Sequence, residues 1–345
     1  MKKILFPILV VILFSISSNA QIVEKENINW LSFKQVDSLF KISQKPIIIN
    51  FYANDNDSSR LMFDSIFHDK NIVSYINTAF YAINFDVYSK DTITFFDGTK
   101  MYNQNKTKKS YHDFVIKILG TNPYFPSFIC FSKQAEGAVY NWYHSVNRMF
   151  SVLIFYNEEA YKTTTYENYN RYFAKTYPEN SKTGYSMVHV TVHWLGLKEA
   201  LDRNKTNPKK VFLDLNVNWR NTCSIMAMTT YSDKKISDIL NQYYYPVQLT
   251  ATTKDTLDVF DKVYVNDGKL NGFHQLPVAL LNGKMVFPSL LFFDENSKLV
   301  GVIQNYYTPE DLEPILLFYA QDAYKTTDWN KFLTDFKKGK SESKN

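Results

Sequence analysis

Trp219, Arg220 and Cys223 stand within one short stretch of VFLDLNVNWRNTCSIMAMTTYSD, residues 211–233. An apolar run leads into a turn, and a helical pattern follows it. A lone thiol can attack a disulfide or form a mixed disulfide with a small thiol. Arg220, three residues earlier, favours the thiolate where both side chains share one side of a helical turn. The competing reading is that Cys223 is a small residue filling a buried place.

Two other groups have metal-ligand character. Asp55, Asp57 and Ser59 alternate as the first ligands of a calcium loop do, but Arg60 occupies the place of the turn glycine and Ile66 that of the closing Glu. Helix capping by Asp57 or Ser58 accounts better for these residues, and Asn221 or Thr222 can cap in the same way before Cys223. His189 and His193 have a spacing that brings two imidazoles to one face. No further ligand follows at the required distance. No metal and no cofactor are expected.

The elements that hold these residues occur twice. Residues 47–69, IIINFYANDNDSSRLMFDSIFHD, have the same shape as 211–233, with a constant offset of 164. Trp30 and Trp194 open the two copies at that offset, each at the start of an expected helix. Asp69, Ile72 and Asn77 recur as Asp233, Ile236 and Asn241; His112 recurs as His274, and YFPSFICF recurs as VFPSLLFF. FYNEEAYKTTTYENY, from Phe155, matches FYAQDAYKTTDWNKF, from Phe318. The register drifts by only one or two residues, so an entire domain is duplicated. Cys130 falls where the second copy has Phe292, which marks a core position, and nothing in the spacing supports a bridge to Cys223. His112 and His274 recur at an expected helix start, which argues for capping or packing.

Each copy reads as an amphipathic helix, a buried strand (46–52; 211–215), a long helix and a second strand (80–86; 244–249). An irregular stretch and a short helix follow. A strand then begins after Pro126 or Pro288, another follows (138–143; 299–304), and a helix closes the copy. Alternating strands and helices indicate an α/β fold with a mixed sheet. The Tyr-rich stretch 161–177 reads as a packed amphipathic helix.

These residues resemble the exported branch of the thioredoxin-like family. In the second half the resemblance rests on Trp219, Cys223, Met226, Tyr231, Ser232, Asp233, His274, Leu280, Leu281, Gly283 and Pro288. In the first half Met62, Phe67, Asp69, His112, Leu119, Gly120 and Pro126 hold the same places. The resemblance covers nearly the whole chain after residue 20 and implies two tandem thioredoxin-like domains, each a central mixed sheet flanked by helices. It also implies a dithiol at the start of the long helix, one thiolate attacking and a second thiol resolving the mixed disulfide. Here the first-cysteine position is Arg220, and the first half has Asn56, Asp57, Ser58 and Ser59 in place of the whole motif. Neither half can cycle between a dithiol and an internal disulfide. The resemblance further places a cis-proline at Pro126 and Pro288, beside a surface that pairs with an extended peptide. Phe125, Pro126, Trp219, Phe287, Pro288 and Ser289 are the expected groove residues, against the alternative that the rings pack inward.

Lys2 and Lys3, an apolar run to Ile16 and the small residues before Gln21 form a secretory signal pattern with cleavage expected after Ala20. The run is short for a membrane span. A 45% hydrophobic, 17% aromatic chain suits a folded protein, and ten glycines argue against phosphate-binding loops. The net charge falls from +5 to about +3 when Lys2 and Lys3 are removed, too little for a nucleic-acid footprint. Two cysteines are too few for a disulfide framework. The expected organisation is a leader over 1–20, a first domain over 21–176 without active-site cysteines, a linker over 177–188, a second domain over 189–336 and a polar tail over 337–345. The expected function is an exported, periplasmic or envelope module that binds a protein or extended peptide without catalysis. The alternative is a monothiol oxidoreductase or thiol sensor acting through Cys223.

Overall fold

Two strands, β1 (Ile47–Tyr52) and a later counterpart at Lys210–Asn216, are buried almost end to end, so they read as continuous apolar runs and not as alternating ones. Each lies at the centre of its own sheet. The computed structural model describes residues 27–104, 109–141, 144–179 and 192–342.

The first half begins with α1 (Phe33–Phe40), held by a Ser32–Gln35 capping box. After β1 come α2 (Asp57–Ser65), α3 (Lys70–Ala79) and β2 (Tyr81–Asp86). A two-residue pair, β3 (Ile93–Thr94) and β4 (Lys100–Met101), precedes α4 (Asp113–Leu119). β5 (Ser127–Phe131) and β6 (Gly137–Asn141) lead to α5 (Val146–Asn157) and α6 (Tyr166–Thr176). The sheet order is β2-β1-β5-β6, with β1 parallel to β2 and antiparallel to β5.

The second half repeats the series. α7 (Leu197–Thr206), β7 (Lys210–Asn216), α8 (Asn221–Ile225), α9 (Lys234–Tyr243) and β8 (Tyr244–Thr250) are followed by β9 (Leu257–Val259) and β10 (Lys262–Tyr264). Then come α10 (Gln275–Leu280), β11 (Ser289–Phe293), β12 (Leu299–Gln304), α11 (Pro309–Ala320) and α12 (Trp329–Glu342). Its sheet order, β12-β11-β7-β8, is that of the first half. The fold is therefore α/β, two tandem thioredoxin-like domains.

Several details differ from the sequence reading. Trp30 and Trp194 precede their helices: Trp30 bridges to Ala82 and its neighbour's counterpart Leu195 to Val247. The expected long helix is broken in each half, because Asp69 and Asp233 turn the chain and cap a new helix, each carboxylate accepting from two of its backbone N–H groups. The stretch expected as a polar tail is helical to Glu342, where Lys340 pairs at 2.5 Å with the buried Glu313. The leader and residues 180–188 of the expected linker lie outside the described residues. Among the described residues no helix is long and apolar enough to cross a membrane.

One apolar cluster runs through both halves. It joins Ile48, Phe128 and Phe155 of the first to Phe212, Met226 and Tyr306 of the second. α6 carries the join: Tyr169 is fully buried with its ring 5.5 Å from that of Tyr306. Tyr172 donates its hydroxyl to Glu310 at 2.8 Å. Two domains recognisable in sequence thus share a core.

Candidate functional site

The site begins where β7 ends. Val217 is buried, Asn218 and Trp219 are exposed, and α8 starts at Asn221 with Cys223 in its first turn. Cys223 is only 8% exposed and unpaired, and burial pushes its thiol up to about 12. A hydrogen bond from the Val217 backbone opposes this. The carboxylates of Asp214 and Glu158 reinforce it, and Arg220 acts in the opposite sense with the smallest effect of these neighbours. Arg220 at i−3 is therefore outweighed by desolvation. Cys130 is fully buried on β5, its thiol also pushed up by burial.

Asp214 escaped the sequence reading. It is 2% exposed on β7, and burial raises its carboxyl to about 6. Gln248 Nε2 donates to its Oδ2 at 3.0 Å and Asn216 Nδ2 at 3.4 Å. The first half holds the neutral version, Asn50 donating to Asn84 Oδ1 at 2.8 Å on the paired strands. A charged residue inside VFLDLNV, matched to Asn50 by the repeat, is the signal that could have found it.

The first turn of α8 is capped from outside its own domain. Its N-cap residue, Arg220, makes no side-chain cap. Glu158, at the end of α5 and 3% exposed, reaches across instead. Its Oε1 accepts from the Asn221 backbone N–H at 3.0 Å and from Asn221 Nδ2 at 2.9 Å. Its Oε2 accepts from the Thr222 N–H at 2.8 Å and from the Thr222 hydroxyl at 2.7 Å. Asn221 and Thr222 thus donate to a cap and do not form one.

In the first half the cap is local. Asn56, and not Asp57 or Ser58, accepts from the Ser59 N–H at 2.8 Å. Asp57 pairs with Arg60, and Asp55 with Lys109 at 2.8 Å. The Lys109 hydrogen bond holds the Asp55 carboxyl below its ordinary range. Ser59, in the place of Cys223, is buried beside a cavity of about 240 Å³ that Tyr52, Phe63 and Asn84 also line. Among the described residues no three His, Cys, Asp or Glu side chains gather as a metal site. His193 is exposed, and His189 lies outside the described residues. His112 and His274 are N-caps, their Nδ1 atoms accepting from Phe114 and Leu276 at 3.0 and 3.1 Å.

The groove residues separate into exposed and buried sets. Both the Phe125–Pro126 and the Phe287–Pro288 peptide bonds are cis. Trp219 is 56% exposed, its ring 6.1 Å from Phe273, which lies 5.8 Å from Phe287. Phe287 is 3% exposed, so its ring belongs to the core and Phe273 takes the place beside Trp219 that was expected of it. Pro288 and Ser289 are buried; Gln304 Nε2 donates to the Ser289 hydroxyl at 3.0 Å. In the first half Asp55 stands where the second has Trp219. Around it Tyr88 stacks on Tyr111 at 5.5 Å, Tyr111 approaches the half-buried Phe125 at 5.8 Å, and Tyr124 is 55% exposed. The two rims are chemically different, one tyrosine-rich and polar, the other built on a tryptophan.

No curated protein matches this chain. Residues 176–304 match the family Thioredox_DsbH, described as "Protein of unknown function, DUF255". Among solved structures the chain is similar to a DsbH oxidoreductase at 17% identity, over 33% of this chain and 73% of that one, with a TM-score of 0.26. It is similar to a thioredoxin-fold protein from Helicobacter pylori at 16% identity, over 39% and 82% of the two chains, with a TM-score of 0.30. A thioredoxin from Thermus thermophilus is 15% identical over 36% of this chain and 85% of its own, with a TM-score of 0.28. The chain has a thioredoxin-like fold, with Arg220 and the single thiol Cys223 at the start of α8.

Proposed function

We propose that this is an exported protein that binds a protein or an extended peptide in the cell envelope without catalysing thiol exchange. The observation that carries the reading is Trp219. More than half of its surface is exposed, on the loop before α8, beside the half-buried ring of Phe273, and Phe287 lies buried beyond that ring. Exposed tryptophans beside a partly buried aromatic are frequent anchors of binding surfaces. The chemistry needed for catalysis is missing on the same loop. Position 220 carries a guanidinium, and the one thiol is buried with its pKa near 12. Export rests on the leader pattern, and the processed chain should begin at Gln21.

A panel of labelled extended peptides titrated against the processed protein tests the binding role. Peptides that bind should lose at least tenfold in affinity with Trp219→Ala, the loss typical of a central aromatic anchor. Equal binding to both proteins, or no binding by any peptide, would remove this reading.

A further inference from the structure

The start of α8 is the place where the thioredoxin-like resemblance puts a thiolate, with the helix's unpaired N–H groups balancing its charge. In this chain a carboxylate is already there. We propose that Glu158 is a built-in stopper: a carboxylate of the first domain that has taken the anion's place at the second domain's former thiol site and keeps that site closed.

Three observations support it. The four hydrogen bonds to the Glu158 carboxylate come from Asn221 and Thr222, the two residues between positions 220 and 223. The carboxylate is 3% exposed, because α6 follows α5 and packs over α8 and the π-type turn after it, residues 226–230. Among the described residues the arrangement also occurs only once in the two halves. The position equivalent to Glu158 is Gln321, which is exposed, and the helix equivalent to α8 is capped by its own Asn56. The contact is therefore a device of this interface and not a by-product of the repeat.

The chemical consequence is specific. An anion bonded to the first N–H groups of a helix uses up the positive end that would stabilise a thiolate, and its charge repels one. The absence of a cysteine at position 220 and the presence of Glu158 act in the same direction. The inference stands independently of what Trp219 binds.

The test restores a thiol without a disulfide partner. In R220C/C223S the new thiol at position 220 should titrate at or above the ordinary value of about 8.5, read from the pH dependence of alkylation. Adding E158Q, which keeps the shape and removes the charge, should lower that pKa by about one unit, which gives roughly tenfold more thiolate at neutral pH. Q321E in the same background should leave it unchanged. A new thiol already well below 8.5 with Glu158 present would overturn the proposal. So would an identical pKa with and without E158Q, or an equal shift from Q321E. Should the variants not fold, hydrogen exchange of the native protein decides. The Asn221 and Thr222 amides should exchange at least tenfold more slowly than those of Asp57 and Ser58 at the start of α2. Equal exchange would overturn the proposal.

Discussion

The carboxylate of Glu158 accepts both the backbone N–H and the hydroxyl of Thr222, at 2.8 and 2.7 Å, although the two residues are 64 positions apart in the chain. Glu158 belongs to the first repeat and Thr222 to the second. A helix end that would ordinarily be capped by its own neighbour is here completed only when the two halves are together. The same interface buries Tyr169 against Tyr306 and ties Tyr172 to Glu310. Half of the chain is thus a structural component of the other half's site.

The shared core predicts a single unfolding event. Calorimetry of residues 21–345 should show one transition for both halves, with the calorimetric and van't Hoff enthalpies equal. Tyr169→Ala removes the ring at the centre of the join and should cost about 3 kcal/mol, in line with other buried aromatic truncations. Two well-separated transitions in the unaltered protein would show that the halves fold without each other.

Asp214 should make stability depend on pH in a defined direction. Its carboxyl titrates near 6 in the fold and near 3.8 outside it, so the folded state holds the proton more tightly. The support this gives is complete below about pH 4 and is lost as the pH rises through 6. Asp214→Asn, which copies Asn50 of the first half, should therefore stabilise the protein by about 2–3 kcal/mol at pH 7.5 and by little at pH 3.5. Urea denaturation at the two pH values measures the difference. A gain that is the same at both would show that the carboxyl is not the cause.

Cys223 should be silent in the native state. With its thiol near 12, the thiolate fraction at pH 8 is about one part in ten thousand, and burial hinders the reagent as well. Alkylation should proceed only on denaturation, with Cys223→Ser and Cys130→Ser identifying each signal. Rapid native labelling with a midpoint below about 8.5 would instead favour the monothiol oxidoreductase.

The duplication, the central strands and the absence of a dithiol are legible in the sequence because each is a local pattern repeated at a fixed offset. IIINFY and VFLDLN are apolar on both faces apart from Asn50 in the first and Asp214 and Asn216 in the second, and so read as interior strands. Asp69 with Asp233, and His112 with His274, recur because a helix start needs an acceptor within two or three residues. Such signals do not depend on what lies across the molecule.

What only the tertiary structure decided is which face each side chain meets. Phe287 and Trp219 are both aromatic residues near the cis-proline, yet one is 3% and the other 56% exposed, a difference set by what packs beneath them. Asp214 titrates near 6 because the surrounding core excludes water, a condition that the letters VFLDLNV suggest but do not fix. The cap on α8 was invisible for the same reason. Asn221 and Thr222 have the chemistry to cap a helix themselves, and they donate to Glu158 because the docking of α5 and α6 brings a carboxylate within 3.0 Å of free N–H groups. Local periodicity determined the elements; burial in the folded chain, within each half for Asp214 and Phe287 and between the halves for Glu158, determined which groups are charged, bonded and exposed.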